Sequence, residues 1–421
     1  MNTVIKLLKA NEAVSDYKIN IHNKESYELF FVKGKLETLR CTDTCDKEVT
    51  VYADHGEFKG ESQFFVYPST TQAQLTTLIG EAVAKAQLIC NRSYQLPGAE
   101  EGSFTVESNF SDYDPADLAA VIAKTVFDAN DIANASLNAV EIFINKHTET
   151  VCNSRGLHKT QVRYDAMVEA IPTYNGETQS VELYEQYNFS SLDEAALHRE
   201  IAGKMTEVKA RYEAAAPERQ LCCPVILNIQ EVSELMRSIA RDLNYASVYS
   251  HANLFKKGDA IQKEILGDSL GITMTGSVPG SVRSAAFDAD GLTLGSIRIV
   301  EGGKAVNYYG SNRYGQYLEE IPTGNLPCVA VDAGSADIPE GESLEVISMS
   351  GLQVDFYNDY IGGEVRLAYH HIGGNTIPVT GISISGRLSE VLSHIRLGET
   401  TATFGGYHGP EKAVLTGIKI F

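Results

Sequence analysis

The stretch YKINIHNKESYELFFVKGKLETLR, residues 17–40, carries apolar side chains at alternating positions on both sides of a Lys-Gly pair. Side chains of a strand point to opposite faces with a period of two, so this pattern predicts two strands. Gly34 is the type of residue that a tight turn between them favours. A second stretch, DKEVTVYADHGEFKGESQFFVYPS, repeats the pattern with a turn at residues 54–56. The first part of the chain is therefore predicted to contain consecutive β-hairpins.

Four helices are predicted around these strands from apolar spacing and from capping residues. They are an opening helix at about residues 2–13, TQAQLTTLIGEAVAKAQLI, a helix capped by Asp114, and the long charged helix LDEAALHREIAGKMTEVKARYEAAAPE. Pro217 interrupts the end of the last helix. We therefore expect a first domain of the α+β class, with a mixed sheet and helices, over residues 1–217.

A second domain is predicted for residues 218–421. It begins with the strand QLCCPVILNI, and apolar residues at three- and four-residue spacing predict one long helix from Val232 to His251. From about residue 264 the chain is rich in glycine, with short alternating segments broken by turns. This pattern predicts a mainly antiparallel β domain, in which SGRLSEVLSHIRLG is the one other helix.

The charge of the chain excludes some classes of partner. Its 55 Asp and Glu against 35 Lys and Arg give a formal net charge of -20. A field of that sign repels phosphates and anionic headgroups, so we predict neither a nucleic-acid nor a membrane partner. The N-terminus lacks the apolar core of a signal peptide, and no run approaches the roughly 20 apolar residues that cross a bilayer. The sequence therefore predicts a cytoplasmic protein.

Several short motifs favour structural rather than chemical roles. The pattern G-x-S-x-G at residues 267–271 fits a nucleophile elbow around Ser269, but a strand rather than a helix is predicted after it. FDADG at residues 287–291 lacks the outer carboxylates of a calcium loop and predicts an Asx turn. Cys41 and Cys45 are predicted to share one face of a strand, without the further ligands that a zinc site needs.

The histidines do not form a recognisable metal-binding pattern. His370 and His371 are adjacent, so a strand would point them to opposite faces. No spacing brings His251, His394 or His408 to them. We therefore predict structural or surface roles for these side chains and no metal ion in this chain.

Four blocks are informative when they are taken in order. They are ETVCNSRGLHKTQVRYDAMVEA, PVILNIQEVSELMRSIA, AFDADGLTLGSIRIVEGGKAVNYYGSNRYGQYLEEIPTGN and GLQVDFYNDYIGGEVRLAYHHIGGNTIPVTGISISGRLSEVLSHI. Their succession resembles the TldD/PmbA family of bacterial peptide-processing proteins, and the resemblance covers most of the chain. In the TldD branch, the helix after the first strand of the second domain carries HExxxH, whose histidines hold zinc, and a cysteine in a glycine-rich loop is the third ligand.

The resemblance places this helix window at residues 244–249, where neither histidine nor glutamate occurs. The candidate residues of this degenerate site are Asn244, Tyr245, Tyr249 and, after a shift of one turn, His251. The glycine-rich loop becomes FGGYHGP, residues 404–410, without a cysteine. Either these side chains contact a peptide in a remaining cleft, or they only pack against neighbouring elements.

The loss of the ligands resembles the PmbA branch, also called TldE. It implies a non-catalytic subunit that pairs with a TldD-like metallopeptidase, holds no cofactor itself and helps to enclose unfolded peptides, while zinc lies in the partner. Two alternatives stay open at this point. One is a self-sufficient hydrolase that uses Ser269 or a histidine cluster, and the other is a non-enzymatic protein-binding module such as a modulator of DNA gyrase. Whether the chain forms a homodimer in the absence of the partner also stays open at this point.

Overall fold

The structure is a computed structural model, and it describes residues 2–335 and 341–421. Its helices are α1 (Asn2–Ala10), α2 (Gln72–Ala86), α3 (Pro115–Asp128), α4 (Glu194–Glu213), α5 (Ile229–Asp242), α6 (Tyr245–Tyr249), α7 (Asn312–Tyr317) and α8 (Leu388–His394). The strands before residue 190 are β1 (Asp16–Val32), β2 (Lys35–His55), β3 (Phe58–Phe65), β4 (Glu101–Thr105), β5 (Ala135–Asn153), β6 (His158–Asn175), β7 (Ser180–Glu182) and β8 (Glu185–Phe189).

The other strands belong to the C-terminal half of the chain. They are β9 (Val225–Leu227), β10 (Ile272–Thr275), β11 (Ser296–Glu301), β12 (Lys304–Ala305), β13 (Cys328–Val331), β14 (Ser343–Met349), β15 (Gln353–Asp355), β16 (Tyr360–Ile372), β17 (Asn375–Val379), β18 (Ile382–Arg387), β19 (Arg396–Leu397), β20 (Thr401–Phe404), β21 (Tyr407–Pro410), β22 (Ala413–Leu415) and β23 (Lys419–Ile420). The α+β class predicted from the sequence is confirmed.

The first eight strands form one sheet in the order β3-β2-β1-β5-β6-β4, with β7 and β8 also paired to β6. All pairs are antiparallel except β4 with β6, so the predicted mixed sheet is confirmed. The β1–β2 hairpin turns at Lys33 and Gly34, which both have positive φ. The predicted turn at Gly34 is therefore confirmed.

The two faces of this sheet differ in chemistry. One face packs its alternating apolar residues against the helices, with Ile142 and Val168 buried beneath Ile122 of α3 and Ile201 of α4. The opposite face carries polar side chains at the intervening positions of β1, β5 and β6. Because the strand period is two, each of these long strands contributes at once to the core and to a polar surface.

The C-terminal half contains a six-stranded sheet in the order β12-β11-β10-β13-β21-β20 and a nine-stranded sheet. The nine-stranded sheet has the central order β19-β22-β9-β14-β16-β18-β23. Most neighbours are antiparallel, with β13–β21 and β14–β9 as parallel pairs. Helix α5 buries Val232, Leu235, Met236 and Ile239 in the core that residues of both sheets share. The predicted mainly antiparallel β body is confirmed.

The prediction of one long helix from Val232 to His251 was wrong. Helix α5 ends at Asp242, and α6 begins at Tyr245 with Asn244 as its N-cap. Tyr309 explains the break, since its backbone N–H donates to Leu243 O and its carbonyl accepts from Tyr245 N. A strand-like contact from a distant segment therefore competes with the helical hydrogen bonds at this point.

The prediction of α8 is confirmed, but it is not the only other helix of this half. Residues 312–317, within the part expected to contain short strands and turns, form α7 with Ser311 as its N-cap. Its Gln316 side chain contacts the first half of the chain, where its amide donates to Gln95 O. Among the described residues, no helix is long and apolar enough to cross a membrane.

Candidate functional site

A cleft lies between the polar face of the first sheet and the C-terminal half. One part is a cavity of about 550 Å³ whose lining includes His22, Glu149, Arg163 and Arg283. A second cavity of about 570 Å³ lies along α5 and shares Arg283 with the first, together with Asn325 and Pro327. The two cavities are therefore adjacent parts of one cleft, which has a sheet end and a helix end.

Two lysines on the polar face tie the walls of the cleft together. Lys159 is fully buried, and its Nζ contacts Gly291 O at 2.9 Å, Thr293 Oγ1 at 2.6 Å and Glu100 Oε1 at 2.7 Å. Lys18 Nζ lies 2.5 Å from Asp290 Oδ1. Because each lysine belongs to the first sheet and contacts the turn around Gly291, these contacts fix the position of that turn.

The turn itself joins the two ends of one of the blocks that were informative in the sequence. Asp288 Oδ1 accepts from the backbone N–H groups of Asp290 and Leu292, which confirms the predicted Asx turn. Its Oδ2 accepts from Asn325 N at 2.9 Å, so the FDADG and TGN segments meet at this carboxyl. Burial, followed by the charge of Asp290, raises the pKa of Asp288.

The sheet end contains a chain of three hydrogen-bonded side chains. His22 Nε2 lies 2.8 Å from His147 Nδ1, and His147 Nε2 lies 2.5 Å from Asp165 Oδ2. The strand register explains this hydrogen-bonded series. On β5, Glu149 pairs with His22 of β1, and Asn145 pairs with Asp165 of β6. His147 lies between these two β5 residues, two positions from each. Side chains two residues apart share a face of the sheet.

The hydrogen-bonded series of His22, His147 and Asp165 can accept a proton at His22. When both imidazoles are neutral, the Asp165 carboxylate fixes the proton of His147 on Nε2, so His147 Nδ1 accepts from His22 Nε2 and His22 Nδ1 keeps a free lone pair. Burial, followed by the charge of His147, lowers the pKa of His22. Burial alone would raise the pKa of Asp165, but the hydrogen bonds from His147 and Asn145 lower it.

The other charged pair of the sheet end is also satisfied. Arg163 Nη2 donates to Glu149 Oε1 at 2.5 Å, and Gln161 donates to Glu149 Oε2 at 2.6 Å. Although burial alone would raise the pKa of Glu149, the hydrogen bond from Arg163 lowers it. Arg163 also donates to Val282 O across the cleft, so this pair takes part in closing it.

The helix end contains two arginines from separate segments. Arg237 projects from α5, and its Nη2 donates to Phe404 O at 3.2 Å. A Cβ on Gly405 would lie 3.3 Å from that nitrogen, and a Cβ on Gly406 would lie 2.9 Å from Cδ of Arg283. Glycine at both positions therefore lets the backbone approach the two arginines closely. The helix after β9 and the glycine-rich loop of residues 404–410, which the sequence resemblance singled out, meet at Arg237.

The four residues of the predicted helix window do not gather around one point. Asn244 caps α6 and borders the cleft. Tyr245 is buried, and its hydroxyl donates to Ile321 O at 2.9 Å, while burial raises its pKa to about 12. The ring of Tyr249 packs against Tyr317 of α7 at 5.1 Å between centroids. His251 is exposed, with positive φ after the end of α6. These contacts favour a packing role for the two tyrosines.

The other sequence candidates stay apart from one another. His370 contacts Glu342 and His371 contacts Glu345, each at 2.9 Å, so the predicted separation of these two histidines is confirmed. His394 contacts Glu390 O, and His408 contacts Thr403. Ser269 is exposed in a loop that runs into β10 rather than into a helix, which does not fit a nucleophile elbow.

The donors at the helix end do not fit a zinc ion. Guanidinium groups are cationic and have no lone pair to offer, so Arg237 and Arg283 repel a metal ion rather than hold it. In the described part of the chain, no group of three His, Cys, Asp or Glu side chains lies close enough together to hold a metal. The Cys41 and Cys45 side chains are exposed on β2 without such a group.

Comparison with known proteins agrees with this architecture. Residues 220–420 match the family described as the PmbA/TldA metallopeptidase C-terminal domain. TldE from Thermococcus kodakarensis has a TM-score of 0.79 and 13% identity, with 99% of each chain covered. Residues 220–420 therefore belong to this family, and the whole chain is similar in fold to TldE.

Two further crystal structures have the same fold. A proposed modulator of DNA gyrase from Bacteroides thetaiotaomicron has a TM-score of 0.76 and 11% identity, over 100% of this chain and 97% of that one. Another from Thermotoga maritima has a TM-score of 0.75 and 14% identity, over 100% and 99%. No curated protein matches the chain in sequence.

Sequence reasoning missed both ends of the cleft. The sequence did contain a signal for the sheet end, because His22, His147 and Asp165 occupy polar positions in strands whose residues alternate between apolar and polar. What the sequence lacked was the pairing of β1 with β5, which joins residues about 130 positions apart. Arg237 and Arg283 had no such pattern, and only the folded chain brings them to the same loop.

Proposed function

We propose that this chain is a TldE-like, non-catalytic subunit of a TldD/TldE-type zinc metallopeptidase that degrades or matures unfolded peptides. The observation that carries the proposal is the contact between Arg237 and Phe404 O. It lies where α5, the helix that precedes the window of residues 244–249, meets the glycine-rich loop, which bears the third zinc ligand in the TldD branch by resemblance. A guanidinium there supports a role without metal, and the zinc then belongs to the partner subunit.

A free sheet edge supports the assembly with a partner. Strand β3 pairs only with residues 48–55 of β2, so the outer edge of residues 35–46 has no partner strand among the described residues. Leu36 and Leu39 on this segment are each 50% exposed. Long unpaired edges with apolar side chains favour association by strand pairing, and proteins usually cover them. We assign this edge to the contact with the TldD-like subunit.

The cleft supports the handling of a peptide. Its two cavities of about 550 and 570 Å³ each have the size of a ligand site and together offer both apolar and polar walls. A peptide held there in an extended conformation would contact the sheet end and the helix end at once. In this proposal the chain forms part of the wall that encloses the substrate, while the partner performs the hydrolysis.

The test is co-expression of this chain with a TldD-like subunit, followed by gel filtration and zinc analysis. We expect a one-to-one complex that contains zinc, whereas the chain alone contains none. Leu39→Lys should weaken the complex at least about tenfold, because it places a charge on the pairing edge. Ile321→Lys, at an exposed apolar residue elsewhere, is the matched control. Stoichiometric zinc in the isolated chain, or no complex at micromolar concentration, would contradict the proposal.

A second candidate is a protein-binding modulator of DNA gyrase, which the descriptions of two structural neighbours favour. The net charge of -20 opposes direct DNA contact and allows contact with a basic protein surface. A supercoiling assay with purified gyrase separates the two. Altered supercoiling at stoichiometric amounts of this chain alone would favour the modulator, and no change would favour the peptidase subunit.

A further inference from the structure

The helix end of the cleft holds two guanidinium groups without a carboxylate partner among the described residues. Arg163 pairs with Glu149 and Arg241 pairs with Glu234, but Arg237 and Arg283 form no ion pair there. This is unusual in a chain whose acidic residues outnumber its basic ones by 55 to 35. Unpaired positive charge in a cleft of an acidic protein attracts an anion.

Arg237 is also incompletely hydrogen-bonded. Within residues 2–335 and 341–421, its Nε is buried without a partner, and only its Nη2 donates, to Phe404 O. Burial, followed by the like charge of Arg283, lowers the pKa of Arg237. A buried donor that lacks an acceptor, next to a second positive charge, costs stability unless an anionic ligand supplies the missing contacts.

We propose that Arg237 and Arg283 bind the C-terminal carboxylate of a peptide held in the cleft. The proposal rests on the proposed peptide-handling function and adds to it the chemical group that anchors the substrate. A carboxylate has two oxygens, so it accepts hydrogen bonds from both guanidinium groups and neutralises one of their two charges.

The surroundings favour the end of a peptide over a polyanion. Met274, Leu326 and Val329 line the same cavity and offer apolar contacts for the last side chains of a peptide. The remaining positive charges of the cleft are already paired, and the field of the whole chain repels a string of phosphates. One carboxylate attached to a partly apolar segment matches this combination.

The site also selects against a continuing chain. The loop around Gly405 lies against Arg237 and the loop around Gly406 lies against Arg283, so backbone closes the cleft on that side of the two arginines. A peptide that ends at the arginines fits this arrangement better than one that passes them. The site would therefore give preference to free C-termini with little dependence on sequence.

The experiment measures the binding of one pentapeptide of alanine and leucine, labelled with fluorescein at its N-terminus, by fluorescence anisotropy. The peptide is compared as the free acid and as the C-terminal amide, with this chain alone and with its TldD-like complex. We expect the acid to bind at least about tenfold more tightly than the amide, the difference that one hydrogen-bonded charge typically provides. Arg283→Gln and Arg237→Gln should each remove most of this preference for the acid over the amide.

Arg387→Gln is the matched control, because Arg387 is an exposed arginine that pairs with Asp359 away from the cleft. Arg283 is itself exposed, so its variant is expected to fold normally and keeps the test meaningful if the Arg237 variant does not. Equal binding of acid and amide, or an unchanged preference in Arg283→Gln, would overturn the proposal. Stronger binding of a fluorescein-labelled oligonucleotide at the same arginines would overturn it in favour of phosphate.

The same samples separate this inference from the proposed function. A complex that assembles and carries zinc but shows no preference for the acid contradicts the carboxylate site alone. A chain that prefers the acid but never assembles with a TldD-like subunit contradicts the subunit role alone.

Discussion

The two ends of the cleft differ in how completely their polar groups are paired. At the sheet end, His22, His147 and Asp165 are linked by hydrogen bonds, and Glu149 is bonded to Arg163. At the helix end, Arg237 and Arg283 have no carboxylate partner among the described residues. Asp165 and Glu149 at the sheet end are bonded to basic side chains as the chain folds, whereas the two arginines of the helix end would gain an anionic partner only from a ligand. Stability and function are thus expected to depend on opposite ends.

The difference follows from how each end is built. Neighbouring strands of one sheet position the polar residues of the sheet end, so register alone brings donors to acceptors. The helix end combines α5 with the loops around Arg283 and Gly405, which are far apart in sequence. Groups that meet only through tertiary contacts can be left unsatisfied where a ligand later supplies the partner.

The largest expected effect concerns the lysine that holds the two walls together. Lys159→Ala removes three contacts of a fully buried Nζ and leaves Gly291 O without its donor. We expect the free energy of unfolding to fall by about 3 kcal/mol, measured by urea denaturation. Lys124→Ala, at an exposed lysine of α3, is the control and should change it by less than about 0.5 kcal/mol. Equal effects of the two variants would show that Lys159 does not hold the walls.

The next effect tests the paired end. His147→Leu removes both hydrogen bonds of the central imidazole and leaves His22 and Asp165 without their shared partner. We expect a loss of about 2 kcal/mol in the free energy of unfolding. His198→Leu, at an exposed histidine of α4, serves as the control. If the His147→Leu variant is as stable as the natural protein, the hydrogen bonds that join His22, His147 and Asp165 have no structural role.

The corresponding change at the unpaired end should have the opposite sign. Arg237→Met keeps much of the side-chain volume and removes a charge that lies beside Arg283. We expect the free energy of unfolding to stay the same or to rise by up to about 1 kcal/mol, because no ion pair is lost. A loss as large as that of His147→Leu would refute the contrast between the two ends.

The smallest effect is a change in pH dependence. Burial lowers the pKa of His22 in the folded chain, so the unfolded chain, with a histidine pKa of about 6.5, binds more protons in mildly acidic solution. The contribution of His22 to stability is thus complete above about pH 6.5 and declines as the pH falls through the folded pKa. His22→Gln should reduce the difference between the urea midpoints at about pH 7.5 and about pH 5.5.

The other titrating groups near His22, Glu149 and Asp46 among them, remain in that variant, so the comparison isolates one imidazole. His198→Gln is the control and should keep the full difference. A His22→Gln profile that matches the natural chain would mean that the imidazole titrates alike in the folded and unfolded states.

Local sequence patterns predicted most of the secondary structure. Alternation and the Gly34 turn predicted the hairpin of β1 and β2, and the cap at Asp114 predicted the start of α3. The break between α5 and α6 was not predictable, because the residues from Val232 to His251 have helical spacing throughout and Tyr309 interrupts them from outside. Helix α7 was missed for a similar reason, since it is short and part of its contacts, such as that of Gln316 with Gln95, lie in the other half of the chain.

The sequence by itself determined the α+β class, the polar and apolar faces of the long strands, the charge that opposes nucleic acid, and the family resemblance. These properties depend on neighbouring residues or on composition, and both can be read without coordinates. Only the tertiary structure decided which polar side chains meet. The pairing of β1 with β5 joins His22 to His147, and the packing of α5 against the loop of residues 404–410 brings Arg237 to Phe404 O. Contacts between residues this distant along the chain arise from the packing of whole elements, which local periodicity does not encode.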